Sequence, residues 1–403
     1  MQIAEHPSPQ RAFLARPLSA AIPISRELAI YLGLVLLAGV LRFWDLGSRM
    51  LHHDESLHAV YSYYLYAGKG YQHDPMMHGP LQFHMIALMY FLFGATDATA
   101  RFYHAGLGTL LVFLPYYLRR YLGQTGAIFA AALLALSPTF LYFSRFARED
   151  IPMPVWNVLF VFALFRYLEE RRRFHLLLAV VAIVLQFLTK ESAYLNVTMF
   201  GLFLLALTLR EEPRQWLSLV KGRARLTPAG DLLWVLFTLT LPLGTAILVR
   251  GSELVLKRPI DYYRLDPLYI SIAAGSFLVI LAASILLGRR WNAPLWTQAA
   301  LLFWGIFIVF FTTFFSNPAG FATGTVGSLL YWMEQQGFAR GNQPWYYYLL
   351  LLPLYDFVVV IFGLGGIVYW VVRLGRTLEA HRAGRLGESV GELLLGNALL
   401  LGI

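Results

Sequence analysis

Residues 80–95 read PLQFHMIALMYFLFGA. Whether these sixteen residues cross a bilayer or lie along its surface decides the side on which every later loop falls. The segment opens with Pro80, carries His84 within its apolar run and closes at Gly94. Around it lies a chain of 403 residues that is 58% hydrophobic and 14% charged, with a mean hydropathy of +0.58. A soluble domain carries about a quarter charged residues, so this chain has too little polar surface to face water all round. Its apolar residues come in runs of about 16 to 25, the length at which a helix crosses a ~30 Å hydrocarbon core. The expected fold is an all-α, polytopic integral membrane protein.

Spans are expected near 27–43, 98–118, 124–143, 152–168, 175–189, 193–209, 231–249, 268–287, 296–315 and 346–370. Cytoplasmic loops accumulate Lys and Arg, and this rule settles the reading of 80–95. With the segment flat, 20 of the 32 Lys and Arg fall inside, including Arg171–Arg173 and the run from Arg210 through Arg225. If it crossed, both clusters would face out. About ten transmembrane helices and a juxtamembrane helix follow, both chain ends being cytoplasmic: a tail over 1–26, a membrane domain over 27–372 and a segment over 373–403. The expected outer loops are 44–97, 144–151, 250–267 and 316–345. The N-terminal tail has no apolar stretch, so the first span is expected to act as an uncleaved anchor. The final ELLLGNALLLGI (392–403) opens another apolar run and stops, as a truncated chain or one missing a span would.

This composition excludes a soluble enzyme. It also explains the net charge of +9 without nucleic acid. The absence of cysteine removes disulfides, Cys-ligated zinc and a thiol nucleophile. The residues that carry chemistry gather in four places, all on the expected outer side. Six of the ten histidines lie between 52 and 84, with Asp54, Glu55, Lys69 and Asp74 among them. HHDESLHAVYSYYLYAGKG reads as an amphipathic helix with Asp54, His58, Tyr61 and Leu65 on one stripe. An acidic pair among histidines at a membrane surface suits general-base chemistry or a divalent metal. His53, His58 and Asp74 are the candidate metal ligands, although no recognised ligand spacing joins them.

The second place is SRFAREDIP (144–152), with four charges in six residues between apolar spans. Charges at that depth must pair or line a cavity. Asp150 stands before Pro152, where a helix can open and favour an anion. The third place is Thr189-Lys190-Glu191-Ser192, whose bland alternative is a surface turn with Lys190 and Glu191 paired to each other. The fourth is the Gly- and aromatic-rich loop over 316–345, where Arg340 suits a phosphate through its forked donors. Asp356, ten residues into the last span, is a further intramembrane carboxylate.

The HHDES pair, HGPLQFH, LSPTFLYFSRFAREDIP and the TKES element together resemble the membrane glycosyltransferases of the GT-C superfamily. These include protein O-mannosyltransferases and lipid A aminoarabinose transferases. TTFFSNP, GSLLYW and RGNQPWYYYLLLLPLYD point within it to a prokaryotic branch labelled flippase-activity-associated protein. The resemblance covers roughly 27–372. It implies transfer of a sugar from a polyprenyl or dolichyl monophosphate carrier to an acceptor on the outer face of the plasma membrane. By this resemblance Asp54 matches the catalytic carboxylate, Glu55 its neighbour and Asp150 the second acidic residue. His78 falls where some relatives place a phosphate-contacting lysine, and the C-terminal soluble domain of several relatives has no counterpart here.

The residues by themselves suggest the same chemistry. Asp54 would take a proton from an acceptor hydroxyl, while Arg148, Arg340, Lys69, Lys190 or His78 would meet the carrier phosphate. Two other classes remain open at this level: a transporter or flippase component that handles lipid-linked sugar without chemistry, and a silent scaffold. A carboxylate at position 54 discriminates, since a mere binder of an anionic phosphate has no use for one. The expected partners are therefore the lipid-linked sugar donor, an acceptor of unspecified kind and the bilayer.

Overall fold

The computed structural model describes residues 25–212, 215, 226–260, 266–338, 341 and 343–382. Among them every regular element is helical. The chain begins with α1 (Arg26–Phe43), capped by the Ser25 hydroxyl, which accepts from Leu28 N. Next come α2 (His53–Tyr66) and α3 (Leu81–Phe93), which pack against one another. Gly94, at φ +81°, ends α3, and a Thr96–Thr99 capping box starts α4 (Asp97–Phe113). Between α3 and α4 the chain turns through 117°, so residues 81–93 lie across the next helix rather than continuing it.

From α4 onward the helices run to and fro between two polar ends. α5 (Pro115–Leu136) breaks at Gly123, φ +73° and ψ 159°, and gives way at Ser137-Pro138 to α6 (Pro138–Ser144). α7 (Pro152–Glu170) opens at Pro152, as expected for a residue whose missing N–H costs nothing at a helix start. α8 (Arg173–Phe187) returns, and α9 (Ser192–Glu211) runs out again. α10 (Pro228–Thr240) continues through a 3-10 turn into α11 (Thr245–Leu256). α12 (Pro267–Phe311) is 45 residues long, about twice a bilayer crossing. It breaks at Asn292, φ −156°, two residues before Pro294, which separates the two expected spans. A short π-turn (Thr323–Gly327) leads into α13 (Ser328–Gln335).

The final expected span, 346–370, is interrupted. α14 (Tyr347–Tyr355) and α15 (Phe357–Arg382) meet at Asp356 with a turn of 105°. Asp356 leaves helical geometry at φ −126°, three residues after Pro353. Its carboxylate accepts from Ser137 Oγ at 2.7 Å, so this buried acid anchors a bend. Of the described helices, Ser192–Glu211, Pro228–Leu256 and Pro267–Phe311 are each long and apolar enough to cross a membrane. The two bent pairs raise that number to five.

Of the five packing centres among the described residues, two tie most of the helices together. The larger joins α7 to α10 and the second half of α12 through Phe160, Ile183, Leu204, Leu232 and Phe303. The other sets Tyr31 and Ala38 of α1 and Val112 of α4 against Ala127, Ala131 and Ala135 of α5. Small residues repeating every four positions let backbones approach closely, which is how helices associate where lipid removes the hydrophobic drive. One polar end is closed by Glu27–Arg119 at 3.7 Å, Arg120–Glu169 at 3.0 Å and Arg171–Asp231 at 2.8 Å. The other end carries the candidate site.

Candidate active site

The site is built on a stretch without regular structure, held by two arginines. Arg145 donates to the carbonyls of Leu41, Arg42, Trp44 and Asp45, and Arg101 to those of Leu46, Arg49 and Met50. This arrangement satisfies carbonyls that no helix or strand could pair. Buried Arg42 adds a third tie, from α1 to Ser144 Oγ at 3.1 Å and to the Leu134 and Ala135 carbonyls at the end of α5.

α2 starts on this frame. His52 caps it, its Nδ1 accepting from Asp54 N, while Glu55 reaches back to His52 N at 3.0 Å. The helix buries Glu55, His58, Ala59 and Ser62, spaced i, i+3, i+4, i+7. The expected stripe through Asp54 and Tyr61 is therefore rotated, and both stand more open to the surface.

The expected acidic pair divides in role. Glu55 is fully buried. Its Oε1 accepts from Arg101 Nε at 2.8 Å and Ala147 N at 3.0 Å. Its Oε2 accepts from Arg101 Nη2 at 3.0 Å, Arg49 Nη2 at 2.9 Å and His52 N at 3.0 Å. Burial would push its pKa up, but the Arg101 hydrogen bonds and the two backbone donors more than offset this and hold it below the ordinary value. No lone pair is left over for a reactant, so Glu55 ties the first loop to the 145–151 turn. Asp54, whose side chain is 38% exposed, accepts from Arg148 Nη1 at 2.9 Å through Oδ2 alone.

The residue that organises the site is Glu149, which the sequence reading passed over in favour of Asp150. Fully buried, its Oε1 meets Lys190 Nζ at 3.0 Å, Arg148 Nη2 at 3.2 Å and His78 Nε2 at 3.2 Å. Burial opposes its charge, yet His78, Lys190 and Arg148 together hold its pKa well below the usual carboxylate range. Asp150 stands outside, 3.2 Å from Lys190 and 3.8 Å from Arg148 Nε. Lys190 and Glu191 do not pair with each other, since Glu191 accepts from His78 Nδ1 at 2.6 Å. In Lys190 burial is outweighed by Glu149 and Asp150, so its pKa is raised and it stays charged.

His78 is held on both ring nitrogens and stacks on Trp332, 4.6 Å between centroids and 9° from parallel. Its expected phosphate contact is corrected, because neither nitrogen is free to make it. The chain reaches this place by close backbone contact. Gly79 N donates to Thr189 O at 3.2 Å and Leu81 N to Leu188 O at 2.9 Å. A Cβ on Gly79 would run into that Leu188 carbonyl.

Two further expectations are corrected, and a third falls where the structure does not test it. Lys69 lies over the Tyr64 ring at 4.9 Å, away from the cluster. The metal trio is not assembled: His58 Nδ1 meets Ala147 O at 2.9 Å, Asp74 caps a 3-10 turn through Met76 N, and His53 is exposed. Among the described residues no group of three His, Asp or Glu could hold a metal ion. Arg340 lies outside the described residues.

The first loop, the 144–151 turn, Lys190 with Glu191, and Trp332 of the last loop thus converge on one centre. Sequence reading missed Arg42 and Arg101, although each is a charge inside an expected apolar span, itself a signal.

Residues 77–221 match the family described as dolichyl-phosphate-mannose-protein mannosyltransferase. A stretch of 116 residues is 29% identical to an uncharacterized protein of Aquifex aeolicus, covering 28% of this chain and 23% of that one. The solved structure of the Saccharomyces cerevisiae protein O-mannosyltransferase Pmt1-Pmt2 complex bound to the sugar donor is similar over 77% of this chain and 36% of its own. The identity there is 18% and the TM-score 0.42. The Archaeoglobus fulgidus oligosaccharyltransferase in complex with zinc and sulfate is similar over 92% of this chain and 48% of its own, at 14% identity and a TM-score of 0.47. The same enzyme tethered with an acceptor peptide gives 86% and 44%, at 14% and 0.49. The chain spans less than half the length of each of these relatives. The family match supports the GT-C glycosyltransferase resemblance drawn from the motifs, though not the narrower flippase-associated branch, and its 77–221 contains His78, Arg148, Glu149 and Lys190.

Proposed function

We propose that this chain is an inverting membrane glycosyltransferase. In this reading it moves a sugar from a polyprenyl or dolichyl monophosphate carrier to an acceptor hydroxyl at the outer face of the plasma membrane. The observation that carries the proposal is Arg148, whose one guanidinium joins half-exposed Asp54 to buried Glu149. A general base and a phosphate-gripping cation are thereby held side by side. Asp54 Oδ1 accepts no hydrogen bond from the described residues and is available for a proton. Arg148 Nε has no hydrogen-bond partner there, and Lys190 commits Nζ to Glu149 and Asp150 only, leaving its third N–H.

The acceptor O–H bond gives its proton to Asp54 as the oxygen forms a bond to the anomeric carbon. The bond from that carbon to the carrier phosphate breaks, and its electron pair leaves on the phosphate oxygen. Donors on Arg148 and Lys190 offset the charge that develops there. Proton removal of this kind contributes about 10²–10⁴ in rate. Glu55, Glu149 and His78 act as positioning residues. The membrane domain is read as about ten spans over 27–372, with loops 44–97, 144–151, 250–267 and 316–345 outside, a reading supported by the distribution of Lys and Arg.

A flippase component would need the same cations but no half-exposed carboxylate among them, so the Asp54–Arg148 pair favours chemistry. The test is sugar transfer in liposomes from a radiolabelled polyprenyl-phosphate sugar pool, with monodisperse elution as the folding check. Asp54→Asn is expected to abolish transfer and keep carrier binding. Binding in both proteins with transfer in neither, across several donors and acceptors, would favour carrier handling instead.

A further inference from the structure

A cavity of about 880 Å³ among the described residues has none of Asp54, Arg148 and Lys190 in its lining. It lies between the 71–77 loop, the first half of α12 and the π-turn with α13. Its wall on α12 is the apolar stripe Ile270, Ala273, Ala274, Phe277 and Leu278, at helical spacing. Ile270 and Leu278 also stand 54% and 63% exposed on the helix surface. The cavity wall is thus continuous with a surface that, in a membrane-crossing helix, faces acyl chains. An occupant reaching it sideways from lipid brings apolar chains with it.

The polar groups in its lining fix the other end of that occupant. Gln72 and Asp74 are exposed and Thr323 stands beside them, and no Lys or Arg is among the described lining residues. His73, also in the lining, is kept neutral by its burial, its pKa pushed down to about 3. A phosphate-headed lipid would set its charge against Asp74 without a compensating cation, and like charges at close range are costly. A hydroxyl-bearing uncharged head would find acceptors and donors in Asp74, Gln72 and Thr323.

The mouth is also close to the candidate base. Tyr61 lines the cavity seven residues after Asp54 on the same helix, an axial rise of about 10 Å. His78 follows Asp74 by four positions, no more than ~14 Å of chain. Resting on the glycosyltransferase reading above, we infer that this cavity holds the acceptor, a membrane lipid with an uncharged, hydroxyl-bearing head, whose hydroxyl is thereby presented toward Asp54. The carrier phosphate belongs to Arg148 and Lys190, which are not part of the cavity lining.

The probes are dioleoylglycerol and dioleoyl phosphatidic acid, which share their chains and differ by a phosphate, together with a polyprenyl monophosphate. Each is titrated against the purified full chain by native mass spectrometry. Dioleoylglycerol is expected to bind at least about tenfold more tightly than phosphatidic acid, and Asp74→Lys to reverse that order. Ala274→Phe, checked by thermal unfolding, is expected to weaken dioleoylglycerol binding about tenfold and leave polyprenyl monophosphate binding unchanged. Polyprenyl monophosphate binding that falls in Ala274→Phe would make the cavity the carrier's slot and overturn the inference. So would dioleoylglycerol binding indifferent to both variants. If instead Arg148→Ala leaves polyprenyl monophosphate binding intact, it is the transferase reading that fails, independently of the cavity.

Discussion

Glu55→Gln separates a structural from a chemical role for the carboxylate beside the proposed base. The amide nitrogen must replace one oxygen. Placed at Oε2 it would face three donors, from Arg101, Arg49 and His52; placed at Oε1 it faces two, Arg101 Nε and Ala147 N. The second placement is the better one and still sets an N–H against two buried N–H groups. Each donor left unsatisfied costs about 1–3 kcal/mol. Breaking a buried ion pair by removing one partner costs about 3–5 kcal/mol, and Arg101 is fully buried. These terms overlap, so the variant should lose about 4 kcal/mol, a large share of the roughly 5–15 kcal/mol that holds a protein folded.

In detergent this would appear as a fall in Tm of about 5 °C for a chain of this length. The loss should depend on pH with a definite sign. Glu55 has a folded pKa held below its ordinary value, so its contribution is present above the unfolded carboxylate pKa and fades as pH falls through the folded one. The gap between wild type and Glu55→Gln should therefore narrow under acid. Asp54→Asn, removing an outward carboxylate, should change stability by less than about 1 kcal/mol. A Glu55→Gln protein that melts with wild type yet transfers no sugar would refute this reasoning and return Glu55 to the chemistry.

Arg148→Lys keeps the charge and loses the fork that spans Asp54 and Glu149, so transfer should drop at least about tenfold in kcat/KM with folding retained; wild-type kinetics would remove Arg148 from its proposed place. Gly79→Ala forces a Cβ onto the Leu188 carbonyl and should cost about 2 kcal/mol together with transfer, because His78 is displaced with the loop. An unchanged melting curve for it would mean that the close approach is relieved cheaply. His73, pushed down to about 3 by burial, binds its proton later in the folded than in the unfolded chain, so stability should fall between about pH 6.5 and 3. From pH 7 to 5 that amounts to about 2 kcal/mol, and His73→Gln should lose correspondingly less; equal losses in both proteins would show that His73 is not held neutral.

The convergence of four separate segments was legible because charges are rare in an apolar chain and must find one another. Which charge points inward was not. Arg148, Glu149 and Asp150 are consecutive, and only the turn leading to Pro152 decides that Glu149 goes under the cluster and Asp150 stays outside. The pairing of Lys190 and Glu191 with distant partners was equally hidden, since adjacent residues offer the simpler contact by default. Helix breaks followed the same pattern. Pro294 marked the interruption of α12, whereas the bend at Asp356 depends on a hydroxyl supplied by Ser137 from another helix. His78 adopts φ +65°, a conformation set by its neighbours rather than by its residue type.

Arg145 and Arg101 grip residues 41–50 by their carbonyls, groups that every amino acid carries alike. Arg42, Leu46 and Arg49 are committed to the frame, but Trp44 and Met50 project with 74% and 86% of their surface open. Open positions such as these can therefore drift in sequence, exchanging what is displayed beside the candidate site, without moving the residues that build it. On the transferase reading, diversification toward new acceptors has room to begin at these open positions, where novelty leaves the supporting frame intact.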